Sequence, residues 1–115
     1  MHPVVHLELR SPDPARACAF YAQLLGWRSE SVAAGTGTYL ALALAHAVGG
    51  GAVRSGDGPA AWLPYAEVAD VAACTTRGRR LGATVLLEPR EGPAGWRSVL
   101  AVPDGAQIAL WQLKA

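Results

Sequence analysis

His6, Glu8 and Arg10 alternate with Val5, Leu7 and Leu9 in the stretch "VVHLELR" near the start of the chain. Read as a strand of period two, it places three ionisable side chains on one sheet face and three aliphatic ones on the other. An imidazole beside a carboxylate and a guanidinium can move protons, hold a metal or line the polar floor of a pocket. Glu8 and Arg10 can equally neutralise each other on a solvated surface. The alternation returns at "WLPYAEV", where Leu63, Tyr65 and Glu67 share one face and Trp62, Pro64, Ala66 and Val68 the other. His6 and Glu67 are the candidate acid–base groups; such a role needs a shifted pKa and a substrate within hydrogen-bond reach. Tyr65 offers a ring face and a hydroxyl, and Tyr39, Trp96 and Trp111 add aromatic surface. Aromatic walls around a few polar groups suit a small-molecule pocket. The candidate ligand-binding set is therefore His6, Glu8, Tyr39, Leu63, Tyr65, Glu67, Trp96 and Trp111. The structural alternative makes Tyr65 a space-filler and each tryptophan core or interface.

Other chemistries lack their residues. Cys18 and Cys74 are far apart and both fall in helix-like stretches, so they read as small apolar fillers rather than a disulfide framework or a zinc site. Gly49, Gly50 and Gly51 are followed by no Lys-Ser/Thr pair and no helix, which argues for a flexible strand end or bulge, not a phosphate loop. No Ser or Cys sits on a nucleophile elbow. Ten Lys plus Arg against nine Asp plus Glu leave a net charge of +1, which disfavours nucleic acid or an anionic membrane as partner. The N-terminus has no basic segment followed by an apolar run and a cleavage site, and no apolar stretch reaches about 18 residues. A cytoplasmic location is expected.

The elements that must position these side chains come in two matching sets. Asp13 caps a helix that opens with Pro14 and stops at Gly26; Asp70 caps another that stops at Gly82. The two aspartates are 57 positions apart and the two glycines 56. The periodicity expects Ala17, Phe20, Tyr21 and Leu24 on one face of the first helix and Val71, Cys74, Gly78 and Leu81 on one face of the second. Three strand-like segments follow each helix: "RSESVAA", "YLALALA" and "HAVGGGAVR", then "TVLLEP", "WRSVLAV" and "AQIALWQLK" with Asp104-Gly105 as a hairpin turn. The expected architecture is α+β in one domain of 115 residues, two βαβββ modules at about 1–55 and 60–115. A doubled strand-helix-strand, ferredoxin-like domain is the competitor and predicts fewer strands per half.

"HLELRSPDPARACAFYAQLLGW", its repeat "YAEVADVAACTTRGRRLGATVL" and the closing "VPDGAQIALWQ" together resemble the vicinal oxygen chelate superfamily, which includes glyoxalase I, extradiol dioxygenases and bleomycin-resistance proteins. The Trp-rich second half is most similar to small glyoxalase-like proteins of actinobacteria. The resemblance implies a cupped mixed or antiparallel sheet with helices outside, a ligand in the hollow, and a homodimer. In metal-using members it also implies His or Gln and Glu ligands from the opening and closing strands of each module.

Carried over by position, His6 matches the first ligand, but the second module offers Leu63, the closing-strand Glu corresponds to Ala109, and "HAVGGGAVR" has no carboxylate. Glu8, His46, Tyr65 and Glu67 are candidate substitutes, with Glu8 on the face of His6, but residues two apart on a strand stand about 7 Å apart. The reading is a small-molecule binding protein of the glyoxalase/bleomycin-resistance type, for an aromatic or antibiotic-like ligand, with no metal site and no cofactor. The alternative is a lyase, isomerase or oxygenase of the same superfamily, either with a divalent metal on displaced ligands or metal-free through His6 or Glu67. A purely structural or regulatory partner protein predicts a collapsed cup.

Overall fold

The computed structural model describes residues 1–34, 37–45 and 48–114, so Gly35, Thr36 and the candidate ligand His46 lie outside the described residues. In order these form β1 (Val4–Ser11), α1 (Pro14–Leu25), β2 (Ser29–Ala34), β3 (Gly37–Ala45), β4 (Val48–Arg54), β5 (Ala61–Glu67), α2 (Val71–Arg80), β6 (Thr84–Glu91), β7 (Gly95–Ala101) and β8 (Gln107–Leu113). The unit of one strand, one helix and three strands thus occurs twice, with more strands than a ferredoxin-like domain would hold. Two compact units result, His6–Leu63 and Met1–Val5 with Pro64–Ala115. No helix among the described residues is long and apolar enough to cross a membrane.

In the His6–Leu63 unit the strands lie in the order β2-β3-β4-β1. β1 and β4 are parallel and the other pairs antiparallel, because α1 and the β2–β3 hairpin carry the chain back before β4 is laid down. Leu9, Cys18, Leu42 and Ala52 form the core beneath α1, joined by Ala17, Tyr21, Leu40, Leu44 and Trp62. Asp13 accepts from the Arg16 amide at 3.1 Å, and Gly26 closes the helix at φ 72°, a conformation that costs other residues about 1–2 kcal/mol. The helix is rotated from the expected stripe. Pro14 and Cys18 are buried, while Phe20 and Leu24 are 60 % and 63 % exposed. Nearly every position from Pro14 to Leu25 is apolar, so periodicity gives no unique phase; contact with Leu9 and Ala52 selects one.

Gly49, Gly50 and Gly51 lie within β4, not at its end, and the register shift of the β3–β4 ladder falls between Ala43 and Ala45. A Cβ on Gly50 would stand 2.6 Å from the Leu44 Cγ. The glycine there admits Leu44 into the core.

In the other unit the order is β5-β8-β7-β6, with β5 and β8 parallel. Val68, Val71, Leu100 and Leu110 form the core beneath α2, with Cys74, Ala83, Val85, Trp96 and Ile108 packed against them. Asp70 accepts from the Ala73 amide at 3.0 Å. The buried face of α2 carries Val71 and Thr75, while Leu81, expected on that face, is 70 % exposed as the C-cap. Thr75 is tolerated inside because its hydroxyl contacts the Val71 carbonyl at 2.6 Å and the Ser98 hydroxyl at 2.7 Å. Asp104 and Gly105, the latter at φ 97°, make the β7–β8 turn and pair Ala101 with Gln107.

Candidate functional site

Strand alternation gives each unit a sheet face turned away from its helix. In the His6–Leu63 unit, Leu9 and Ala52 point under α1, so His6, Glu8 and Arg10 take the opposite face, together with Gly49 and Gly51 across the ladder. The register sets His6 beside Gly49 and Glu8 beside Gly51. The Tyr39 ring covers Gly51, 3.5 Å from where a Cβ would stand. The Arg10 Nε donates to the Glu8 Oε1 at 3.1 Å, the carboxylate side chain being only 12 % exposed. His6 is half-buried; burial lowers its pKa and the Glu8 charge opposes this more weakly. The imidazole is therefore neutral at physiological pH.

In the other unit, Val68, Leu100 and Leu110 point under α2, and Tyr65, Glu67, Arg97, Val99, Ala109 and Trp111 take the opposite face. Two cross-strand rows follow from the register: Tyr65–Ala109–Val99 and Glu67–Trp111–Arg97. An Arg97 Nη donates to the Tyr65 hydroxyl at 2.7 Å. The Tyr65 and Trp111 rings lie 6.4 Å apart at 60°, within the range of favourable aromatic pairs. Val99 and Ala109 lie on the same face and are buried, at 2 % and 0 % exposed.

The expected residues divide accordingly. Tyr65, Glu67 and Trp111 come together on one face, and His6, Glu8 and Tyr39 on another. Leu63 shares the alternation of Tyr65 and is 2 % exposed. Trp96 stands apart: it packs with the core under α2, and Lys114 Nζ lies 5.4 Å from its ring centroid while also pairing with Glu91 at 2.7 Å. Arg97 was missed by the sequence reading, although a signal was present. Counting outward from the Asp104-Gly105 turn pairs residue 97 with Trp111, which puts Arg97, not Trp96, on the face of Tyr65.

The positions that the resemblance assigns to metal ligands hold one donor, His6, and two hydrocarbon side chains, Leu63 and Ala109. Among the described residues no three His, Cys, Asp or Glu groups come together. This set does not furnish the three or more ligands that a catalytic metal needs.

A model of the glyoxalase-like domain family matches residues 6–111. A hypothetical protein from Bacillus halodurans C-125 superposes with a TM-score of 0.74 at 11 % identity, covering 99 % of this chain and 96 % of that one. A methylmalonyl-CoA epimerase in complex with methylmalonyl-CoA and NH4+ gives 0.72 at 17 % identity, covering 100 % and 96 %. The methylmalonyl-CoA epimerase of Mycobacterium tuberculosis gives 0.68 at 18 %, covering 97 % and 88 %. At these identities the likeness is one of fold. No curated protein matches the chain by sequence.

Proposed function

The chain belongs to the glyoxalase-like domain family, and on that premise we propose that it is a small-molecule binding protein whose ligand lies on the sheet face carrying Tyr65, Arg97 and Trp111. One observation carries the reading: the Tyr65 phenol is held by the Arg97 guanidinium and paired with the Trp111 indole on a sheet face that also carries the buried Val99 and Ala109. Polar groups fixed in this way set orientation, while the aromatic surface supplies affinity. Binding needs no metal, and Leu63 and Ala109 offer no donor to one.

The test is a thermal-shift screen of aromatic and antibiotic-like natural products. A true ligand raises the midpoint with the logarithm of its concentration. The Trp111→Ala chain, shown folded by circular dichroism, is expected to lose that response. Hits that stabilise wild type and Trp111→Ala alike would overturn the placement, and a screen without a saturable hit would overturn binding itself.

A second reading, proton transfer on a bound substrate by His6, is favoured by the neutral imidazole that burial maintains beside Glu8. It predicts turnover lost in His6→Ala while ligand binding persists.

A further inference from the structure

We infer that the open edge of β2 pairs with the same edge of a second copy of this chain, antiparallel about a two-fold axis at Ser29, so that Arg28 of each copy faces Glu30 of the other. The pairing goes beyond the binding reading and does not depend on it. Three observations carry it.

The first is that the two outer strands are built differently. β6 ends the order β5-β8-β7-β6 and carries Pro89, charges at Glu88, Arg90 and Glu91, and two register shifts against β7. Proline, charge and an irregular ladder keep an edge from recruiting another strand. β2 ends the order β2-β3-β4-β1 without a proline or a register shift, and its six residues hold a single charge, Glu30. One edge is defended and the other is not.

The second is the direction of the backbone. The Ala43 amide donates to the Arg28 carbonyl at 3.0 Å, which extends the β2–β3 ladder to residue 28. The polar backbone groups of Arg28 and Glu30 therefore face β3, and alternation turns those of Ser29 and Ser31 to the open edge. Two copies can meet with Ser29 opposite Ser29, exchanging two backbone hydrogen bonds at the axis. Such a contact is self-complementary, as a two-fold interface requires.

The third is charge. With Ser29 on the axis, residues 28 and 30 face each other across the strands in the non-hydrogen-bonded positions, where side chains come closest. The cation of each copy then meets the anion of the other, twice. Both side chains are exposed and stand opposite Ala43 and Ala41 in their own sheet. Among the described residues neither has an ion-pair or hydrogen-bond partner. With Ser29 they line a groove of about 540 Å³ together with Ala41, Leu42 and Ala43, which leaves space beside the strand. Moving the axis to residue 30 would set Glu30 against Glu30, and like charges directly opposite are unfavourable.

The experiment is sedimentation velocity of the full chain over a concentration series from low micromolar to millimolar. Wild type is expected to pass from monomer to dimer. Glu30→Arg, which sets arginines against each other at both contacts, is expected to weaken the dimer about tenfold. Arg28→Glu is expected to do the same with glutamates, and the double variant Arg28→Glu/Glu30→Arg, which only exchanges the charges, to recover the wild-type affinity. Ser29→Pro removes an N–H that faces away from β3, so the variant is expected to stay folded by circular dichroism and to remain monomeric. A wild-type chain that is monomeric throughout overturns the inference. A dimer unmoved by Glu30→Arg and Ser29→Pro, or single charge variants that weaken it with no recovery in the double variant, overturns it as well. The charge variants keep every β2–β3 hydrogen bond, so they decide the matter even where Ser29→Pro fails to fold.

Discussion

Cys18 and Thr75 occupy the same place in the two repeats, and the two helices solve that place differently. In the His6–Leu63 unit the position is a thiol 3 % exposed among Leu9, Leu42 and Ala52, and burial raises its pKa, keeping it protonated and inert. In the other unit it is a hydroxyl 2 % exposed, bonded to Val71 and to Ser98, itself 0 % exposed. The sheet faces away from the helices differ as much. One has Gly49 and Gly51 beside His6 and Glu8; the other is filled by Tyr65, Arg97 and Trp111. What both units share is topology and the Asp caps that start their helices. Backbone geometry is tightly specified by a few residues, while any side chain whose volume fits and whose polar atoms are paired satisfies the interior.

The largest test of this comparison removes core volume from each unit. Leu42→Ala and Leu100→Ala, at residues 4 % and 5 % exposed, are each expected to cost about 2–5 kcal/mol in denaturant unfolding. If one cost under about 1 kcal/mol while the other fell in that range, the two cores would not be equivalent.

The next test exchanges the two solutions. Thr75→Val deprives Ser98 of its partner and is expected to cost about 1–3 kcal/mol. Adding Ser98→Ala should recover most of that loss, because the pair is then replaced by apolar groups. Cys18→Ser is expected to cost a similar about 1–3 kcal/mol, since it would set a hydroxyl among Leu9, Leu42 and Ala52. A double variant no more stable than Thr75→Val would refute the pairing argument.

A smaller effect distinguishes the sheet faces by pH. The folded pKa of His6 lies below its unfolded value of about 6.5. Between those two values the unfolded chain binds more protons, so stability falls as pH drops through the window and levels off below it. His6→Gln should flatten that slope; an unchanged pH profile in the variant would show that His6 does not titrate as its burial implies.

The smallest effect is expected outside both cores. Glu88→Gln breaks the Arg79–Glu88 pair, whose side chains are 52 % and 67 % exposed. Such a solvated pair contributes under about 1 kcal/mol. A loss comparable to that of Thr75→Val would mean that β6 and α2 depend on charge more than packing suggests.

The sequence by itself determined the doubled strand-helix-strand-strand-strand order, because those signals are local. Asp13 and Asp70 cap, Gly26 ends a helix where φ is positive, Asp104-Gly105 turns, and alternation assigns His6, Glu8, Tyr65 and Glu67 to faces away from the helices. Only tertiary structure decided what local pattern leaves degenerate. α1 is apolar almost all round, so the burial of Cys18 over Phe20 came from packing on Leu9 and Ala52. Leu81 was lost to the end of its helix, and Thr75 was admitted to the core because Ser98, 23 residues later, arrives to pair with it. Arg97 and Trp111 meet for the same reason: cross-strand neighbours are set by register, which depends on contacts between segments far apart in the chain.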